Sequence, residues 1–363
     1  MGNADFVTLG IRLALALAAM GLFSAFRPPV VGLDLGSYAV RAVALRPSRK
    51  GWSLLAAGEA PVPFGETPTQ AVLAETAAGL LDSLGLQRAR VAAAISGQAA
   101  IVKRLNLPMM TADELAAAIP AEAEQHIPFP LEDVQLDYEV LEGTQGRASD
   151  ALDVLLVAAR RDKVEDRVMA IADTGRTAVV LDVEAFALAN AYEANYPDRS
   201  EALVVLVHVG QRATVVCLLE NGKVAFTRDI GLGGAAYVDA LTRDLGLDPV
   251  AAQRTLRQSL SDDDGSIGVI REVHHQLLLE IRKTVDFHRA TASVDRIDRV
   301  VLSGGACGIE GLRGLLASDL EAEVEIVDPF RRVQRPQRGP GADVDGPAYA
   351  VAVGLALRRE GER

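Results

Sequence analysis

The chain has 363 residues, 49% hydrophobic, 24% charged and only 4% aromatic, the balance of a folded globular protein rather than a disordered or fibrous one. At about 150 residues per domain this length predicts two domains, or one large unit with lobes, and an ample core. A formal net charge of −12 excludes an overall electrostatic footprint for nucleic acid. Cys217 and Cys307, far apart in sequence, exclude a disulfide framework and a CxxC metal site and favour a reducing, cytoplasmic compartment.

Residues 1–29 form an apolar extension. Val7–Phe26 is almost wholly apolar but carries Arg12, and the run from Leu13 to Phe26 has fourteen residues, short of the roughly 20 that a spanning helix needs. Asp5 before the run and Phe26-Arg27-Pro28 after it argue against a cleaved signal peptide. Two readings stay open. The segment contacts a membrane, with Arg27, Arg41, Arg46, Arg49 and Lys50 holding the body on the cytoplasmic side, or it docks on the surface of the domain.

Residues 30–97 read as the first half of a lobe. Val30–Gly36, Ala39–Leu45 and Gly51–Ala60 predict an antiparallel meander of three strands, followed by a helix over 69–84 and a strand over 90–96. The pattern changes over 98–160. Thr111 with Glu114 three residues on predicts a capped helix, and the turn IPFPLED then leads to strands over 134–143 and 150–160. This predicts a small inserted α+β subdomain, with 161–200 completing the first lobe.

Residues 201–363 repeat the scheme as a second lobe. Glu201–Gly210, Arg212–Gly222 and Lys223–Leu232 predict three more strands, and the turn glycines Gly36 and Gly210 fall at equivalent places. Helices are expected over 234–245, 248–260 and 267–291, then a strand running into Gly304-Gly305, a short strand over 324–329 and a last apolar helix over 348–359. The Arg-, Pro- and Gly-rich stretch between Val327 and Pro347 predicts a surface loop whose positive charge could touch acidic lipid.

Three segments carry chemistry. In Gly32–Ser37 a strand ending in Asp34 meets a turn at Gly36, so that backbone N–H groups and the Ser37 hydroxyl can face a phosphate and Asp34 can hold hydrated Mg²⁺. A purely structural hairpin is the other reading. Val207–Thr214 supplies the matching turn, with Gly210, Gln211, Arg212 and Thr214, and the two turns together would clasp a phosphate chain. Leu302–Leu312 delivers Gly304, Gly305 and Ala306 to a helix start, where bare backbone admits a ring or ribose; tight strand–helix packing is the alternative. All three predict a nucleotide cleft between the lobes, with ATP and Mg²⁺ as its cofactors.

This order resembles the actin, sugar kinase and heat-shock ATPase superfamily. Within it, Ile127–Leu141, Val154–Val168, Leu181–Tyr192, Thr227–Gly234 and Ala350–Arg358 are similar to the PilM family of type IV pilus assembly proteins. The resemblance runs from Val30 to Arg358. It implies an α/β, actin-like fold of duplicated ribonuclease H-like lobes, with Tyr38, Gly233 and Gly234 beside the nucleotide. Glu280 and Lys283 resemble the superfamily pair that meets ribose and base, or form an ordinary surface ion pair. It also implies a cytoplasmic protein, peripheral to the inner membrane, that grips the N-terminal peptide of PilN beside the small subdomain. Leu105, Leu107, Ile127 and Phe129 are the expected groove residues, with ordinary core as the other reading of each.

The chain departs from the family at His208, which stands where an Asp is usual, and Tyr38, Gln211 and Arg212 bring bulk and charge into the turns. Neutral, His208 would orient water or fill core; protonated, it would pair with phosphate. Arg212 would neutralise a phosphate in place of metal, or is an exposed turn residue. The expected function is a nucleotide-binding scaffold with weak or absent ATPase activity. The alternatives are an active ATPase or small-molecule kinase on the same fold, and an actin-like filament. The five histidines lack zinc spacing and no serine lies in GxSxG, so other hydrolase chemistry has no signal.

Overall fold

The structure, a computed structural model, describes residues 29–49, 51–63, 67–141, 151–197, 201–258, 265–291, 296–336, 339–341, 344 and 346–361. The N-terminal extension lies outside them.

The first lobe opens with β1 (Val30–Leu35), β2 (Ala39–Ser48) and β3 (Gly51–Pro61), then α1 (Gln70–Ser83) and β4 (Arg90–Ile95). The chain next leaves this sheet for β5 (Ala100–Pro108), α2 (Ala112–His126), β6 (Val134–Val140) and β7 (Ala151–Arg160). It returns through α3 (Arg161–Asp173) to β8 (Thr177–Val183) and α4 (Glu184–Asn195). The second lobe comprises β9 (Leu203–Val209), β10 (Thr214–Glu220), β11 (Lys223–Ile230), α5 (Gly234–Leu245), α6 (Pro249–Thr255), α7 (Ser266–Thr291), β12 (Arg299–Ser303), α8 (Leu312–Leu320) and β13 (Glu323–Ile326). β14 (Val333–Gln334) and α9 (Ala350–Ala356) end the chain.

The two large sheets share one plan. Their orders are β14-β3-β2-β1-β4-β8 and β11-β10-β9-β12-β13. In both, the first three strands run antiparallel and the next two join parallel to the first. Gly36 and Gly210 therefore end equivalent strands, as the sequence repeat implies. Every residue of β9 is buried, as expected for a strand covered on both faces.

α4 and α9 form the layer between the sheets. α4 is buried along nearly its whole length, and its apolar residues share one cluster with Val31 and Leu33 of the first sheet and Leu206 and Cys217 of the second. Close approach is possible because side chains are missing where backbones cross. A Cβ on Gly354 would meet the carbonyl oxygen of Ala187 at 1.7 Å, and one on Gly32 that of Ala352 at 2.0 Å.

Two features differ from the sequence reading. The expected loop after Val327 contains β14, which pairs with β3 through Val333–Trp52 and Gln334–Ser53. β14 and α9 therefore pack with the first lobe, although residues 201–363 read as one continuous second lobe. Chain continuity suggested the boundary; the apolar face of α9 decided otherwise.

The small subdomain is a three-stranded sheet, β5-β7-β6, closed by α2. The capping box forms as its spacing predicts: the Glu114 N–H donates to Thr111 Oγ1 (3.3 Å) and the Thr111 N–H to Glu114 Oε2 (2.8 Å). Arg104 on β5 holds Asp153 of β7 (2.7 Å) and reaches Glu220 of the second lobe (3.3 Å).

Candidate nucleotide-binding cleft

The β1–β2 and β9–β10 turns line one cleft of about 1030 Å³ between the lobes. They are equivalent in packing as well as in position. A Cβ on Gly36 would come within 2.8 Å of the Ala39 carbonyl oxygen, and one on Gly210 within 2.9 Å of that of Ala213, each three residues on. Gly233 and Gly234 let the second turn sit on the start of α5, where the Gly234 N–H donates to Gly210 O (2.9 Å) and the Ala235 N–H to Gln211 O (2.7 Å).

Of the residues singled out from sequence, Asp34, Gly36, Ser37, Tyr38, Gly210, Gln211, Arg212, Gly234, Gly305 and Ala306 line this cleft. Others serve elsewhere. Thr214 is fully buried and donates to Leu232 O (2.7 Å). Gly304 has φ +94°, and its Cβ position lies 2.3 Å from Val209 O, so it serves the packing of β12 on β9 while Gly305 faces the cleft. Glu280 and Lys283 pair with each other (2.5 Å), and Glu280 with Arg228 (2.7 Å), away from the cleft. Their ion pair satisfies both charges on α7. Gln253, Leu256 and Arg257 line the second-lobe wall instead.

The cleft floor holds a charge cluster that the sequence reading did not assemble: Asp34, Arg41, Arg167, Glu184, His208 and Asp229. Arg41, a lone cation in the apolar strand AVRAVAL and expected among the cations beside a membrane, is instead buried in the cleft; Glu184 and Arg167 carried no sequence signal. Arg41 lies 3.9 Å from Asp34 Oδ2, donates to Glu59 Oε2 (3.1 Å) and sits with its Cζ 5.8 Å from the Tyr349 ring centroid. Burial raises the pKa of the Asp34 carboxyl, opposed by Arg41 and Arg167. Burial and the neighbouring Asp34 and Asp229 push Glu184 up to about 8. His208 is pushed down to about 3 by burial and then by Arg41, and its Nδ1 lies 2.9 Å from Ser303 Oγ. Burial and Arg41 thus favour the neutral imidazole, whose Nδ1 is engaged with Ser303.

This donor set does not fit a protein-held Mg²⁺. Arg41 lies beside Asp34, burial and the neighbouring Asp34 and Asp229 push Glu184 up, and His208 occupies the second turn. Among the described residues no group of three His, Cys, Asp or Glu side chains is arranged to hold a metal ion. The cations beside the acids are the chain's own, Arg41 and Arg167.

The expected peptide-groove residues divide. Leu105, Leu107 and Ile127 are buried in the small subdomain's core with Leu115, Ile119 and Val154, so they cannot face a peptide without opening that core. Phe129 is 39% exposed, with the Arg160 Cζ 5.9 Å from its ring centroid. Both cysteine thiols are buried and pushed up to about 12, which removes thiolate chemistry.

Two lobes built on one strand plan, joined through buried helices and each offering a hairpin turn to a shared cleft, define an actin-like ATPase fold. Within that class the chain belongs to the PilM family: the profile described as type IV pilus assembly protein PilM matches residues 32–360. The chain is similar to a solved PilM–PilN type IV pilus biogenesis complex at 29% identity, covering 91% of this chain and 98% of that one, with a TM-score of 0.80. The fold is shared with the ethanolamine utilization protein EutJ from Carboxydothermus hydrogenoformans (18% identity, 91% and 90% coverage, TM-score 0.50). It is shared also with MreB5 of Spiroplasma citri bound to ADP (10% identity, 91% and 95% coverage, TM-score 0.50). No helix among the described residues is long and apolar enough to cross a membrane.

Proposed function

We propose that this type IV pilus assembly protein is a cytoplasmic scaffold, peripheral to the inner membrane, that binds ATP between its lobes and grips the N-terminal peptide of a PilN-type partner. The observation that carries the reading is the likeness to the PilM–PilN complex over nearly the whole of both chains. Phe129, exposed where α2 leads into β6, offers an apolar anchor beside an edge strand, and an extended peptide can add its backbone to such an edge. In this reading nucleotide sets the closure of the lobes. The small subdomain senses that closure, because Arg104 ties it to Glu220 of the second lobe.

Hydrolysis is not the working step. His208, neutral beside Ser303, stands in the second turn where the family usually has an Asp, so that turn lacks the carboxylate that would orient water at a γ-phosphate. Titration calorimetry of a PilN-type N-terminal peptide, with and without ATP, tests the proposal. Binding that is weakened by Phe129→Ala and altered by ATP is expected; a peptide that fails to bind in either condition would refute it.

A further inference from the structure

Arg167 is a cation on the inward face of a helix. It lies three residues after Val164 and four before Ile171, both buried, and so shares their stripe of α3. From there it lines the cleft. Its Nη1 is buried without a hydrogen-bond partner among the described residues, while Asp34 and Glu184 act on the guanidinium through their charge. Burying a charge is costly unless the group is both paired and hydrogen-bonded. This guanidinium therefore has a donor left for an anion in the cleft.

The side from which Arg167 comes identifies that anion. Arg41 stands on β2, on one side of β1 and Asp34, and its Nη2 lies 3.9 Å from the Cβ position of Gly305, where bare backbone would admit the nucleoside. α3 packs on β4 and β8, on the other side of β1. A phosphate chain running from Gly305 past Asp34 thus meets Arg41 first and Arg167 last. Arginine grips phosphate oxygens in a bidentate fork, and the phosphate met last is the one that ATP has and ADP lacks.

The same helix reaches the peptide anchor. α3 follows β7, the middle strand of the small subdomain, with no loop residue between them. In its first turn Arg161 donates to Glu132 O (3.1 Å) and Val134 O (3.0 Å), and the preceding Arg160 has its Cζ 5.9 Å from the Phe129 ring centroid. Six residues of helix, about 9 Å at 1.5 Å per residue, separate this grip on the subdomain from Arg167 in the cleft.

We propose that Arg167 takes the terminal phosphate of the bound nucleotide and that α3 carries this contact to Phe129, so that ATP and ADP are told apart at the partner-binding subdomain. The inference rests on the nucleotide and peptide sites proposed above and names the link between them.

Titration calorimetry of the full-length chain gives its affinities for ATP and ADP and, at saturating ATP or ADP, for a PilN-type N-terminal peptide. The wild type should prefer ATP, and its peptide affinity should differ about fivefold or more between the two loaded forms; by linkage the peptide should shift the ATP preference by the same factor. Arg167→Ala should lower ATP affinity at least about tenfold, as loss of a hydrogen bond between charged groups does, lower ADP affinity far less, and erase the difference in peptide affinity. Arg161→Ala should keep the ATP preference and erase that difference too. A folded Arg167→Ala variant that keeps the wild-type ratio of ATP to ADP affinity, whether by holding both or by losing both equally, overturns the inference and leaves nucleotide binding standing. A wild-type chain that binds neither nucleotide overturns the cleft reading and the inference with it. Should Arg167→Ala unfold, Arg167→Lys, which keeps the charge without the fork, should lose part of the ATP preference, and an unchanged ratio overturns the inference.

Discussion

Arg257, two residues beyond α6, reaches across the cleft to Tyr38 in the β1–β2 turn: its Cζ lies 5.8 Å from the ring centroid and its Nη2 donates to the phenol oxygen. The contact links the β1–β2 turn of one lobe to the wall of the other, so opening the cleft must break it. At an exposed site a cation–π contact with a charge-assisted hydrogen bond is worth about 1 kcal/mol. Arg257→Ala should therefore speed release of a fluorescent ATP analogue about fivefold or more in stopped-flow measurements. Unchanged release would show that closure does not depend on this pair.

Arg41 stands beside the carboxylate that a metal site would need. ATP affinity should accordingly be nearly the same in excess EDTA as in millimolar Mg²⁺, and Arg41→Gln should lower it at least tenfold in EDTA while making it respond to Mg²⁺. Wild-type binding that collapses on chelation would return Asp34 to the role of metal ligand.

Phosphate release from ATP should run at or near background, because His208 stands in the second turn where a carboxylate would orient the water. His208→Asp is the single change expected to raise it most, although Tyr38 and Arg212 still crowd the turns. Brisk wild-type turnover that disappears in Asp34→Ala would make this chain a working ATPase.

The adjacent glycines after β12 should separate fold from ligand. Gly304→Ala puts a Cβ 2.3 Å from Val209 O at a left-handed φ and should cost at least about 2 kcal/mol of stability. A Cβ on Gly305 would meet only Arg41 Nη2, at 3.9 Å, so Gly305→Val should keep a near wild-type Tm while losing nucleotide. Equal loss of stability in both variants would contradict the division of labour between them.

Glu184 gives a signed pH effect. Its folded pKa of about 8 exceeds its ordinary 4.5, so between those values the folded chain holds the extra proton. Its contribution then turns unfavourable as pH rises through that window. Denaturant melts at several pH values should show Glu184→Gln flattening the fall in stability by up to about 1 kcal/mol per pH unit. The variant should match or exceed the wild type at pH 8. A parallel profile would place the carboxyl in better contact with water than its surroundings indicate.

The duplicated lobes were legible because strand periodicity and the turn glycines at Gly36 and Gly210 are local signals that recur. The Thr111–Glu114 cap was legible for the same reason. Glu184, Arg167 and Asp229 were not, because they come from three elements and meet only once α3, α4 and β11 are placed around the cleft. Leu105, Leu107 and Ile127 could not be assigned between groove and core, because an apolar strand facing either has the same composition; they lie in the core. The end of the second lobe was misjudged at β14 and α9, which pack on β3 and β1 some three hundred residues earlier in the chain and, for α9, on α4.

The return of α9 to β1 and α4 also constrains how the protein is made. As the ribosome delivers the chain, the second lobe has its whole sheet once β13 has emerged. The first lobe must wait, with the face of β1 and α4 uncovered, for residues 350–356. The usual order of domain completion from the N-terminus is thus reversed, and the portion translated first is the last to be sealed. A stop codon just before Ala350 would yield a chain lacking part of the layer between its lobes, its apolar surface left to chaperones and proteases.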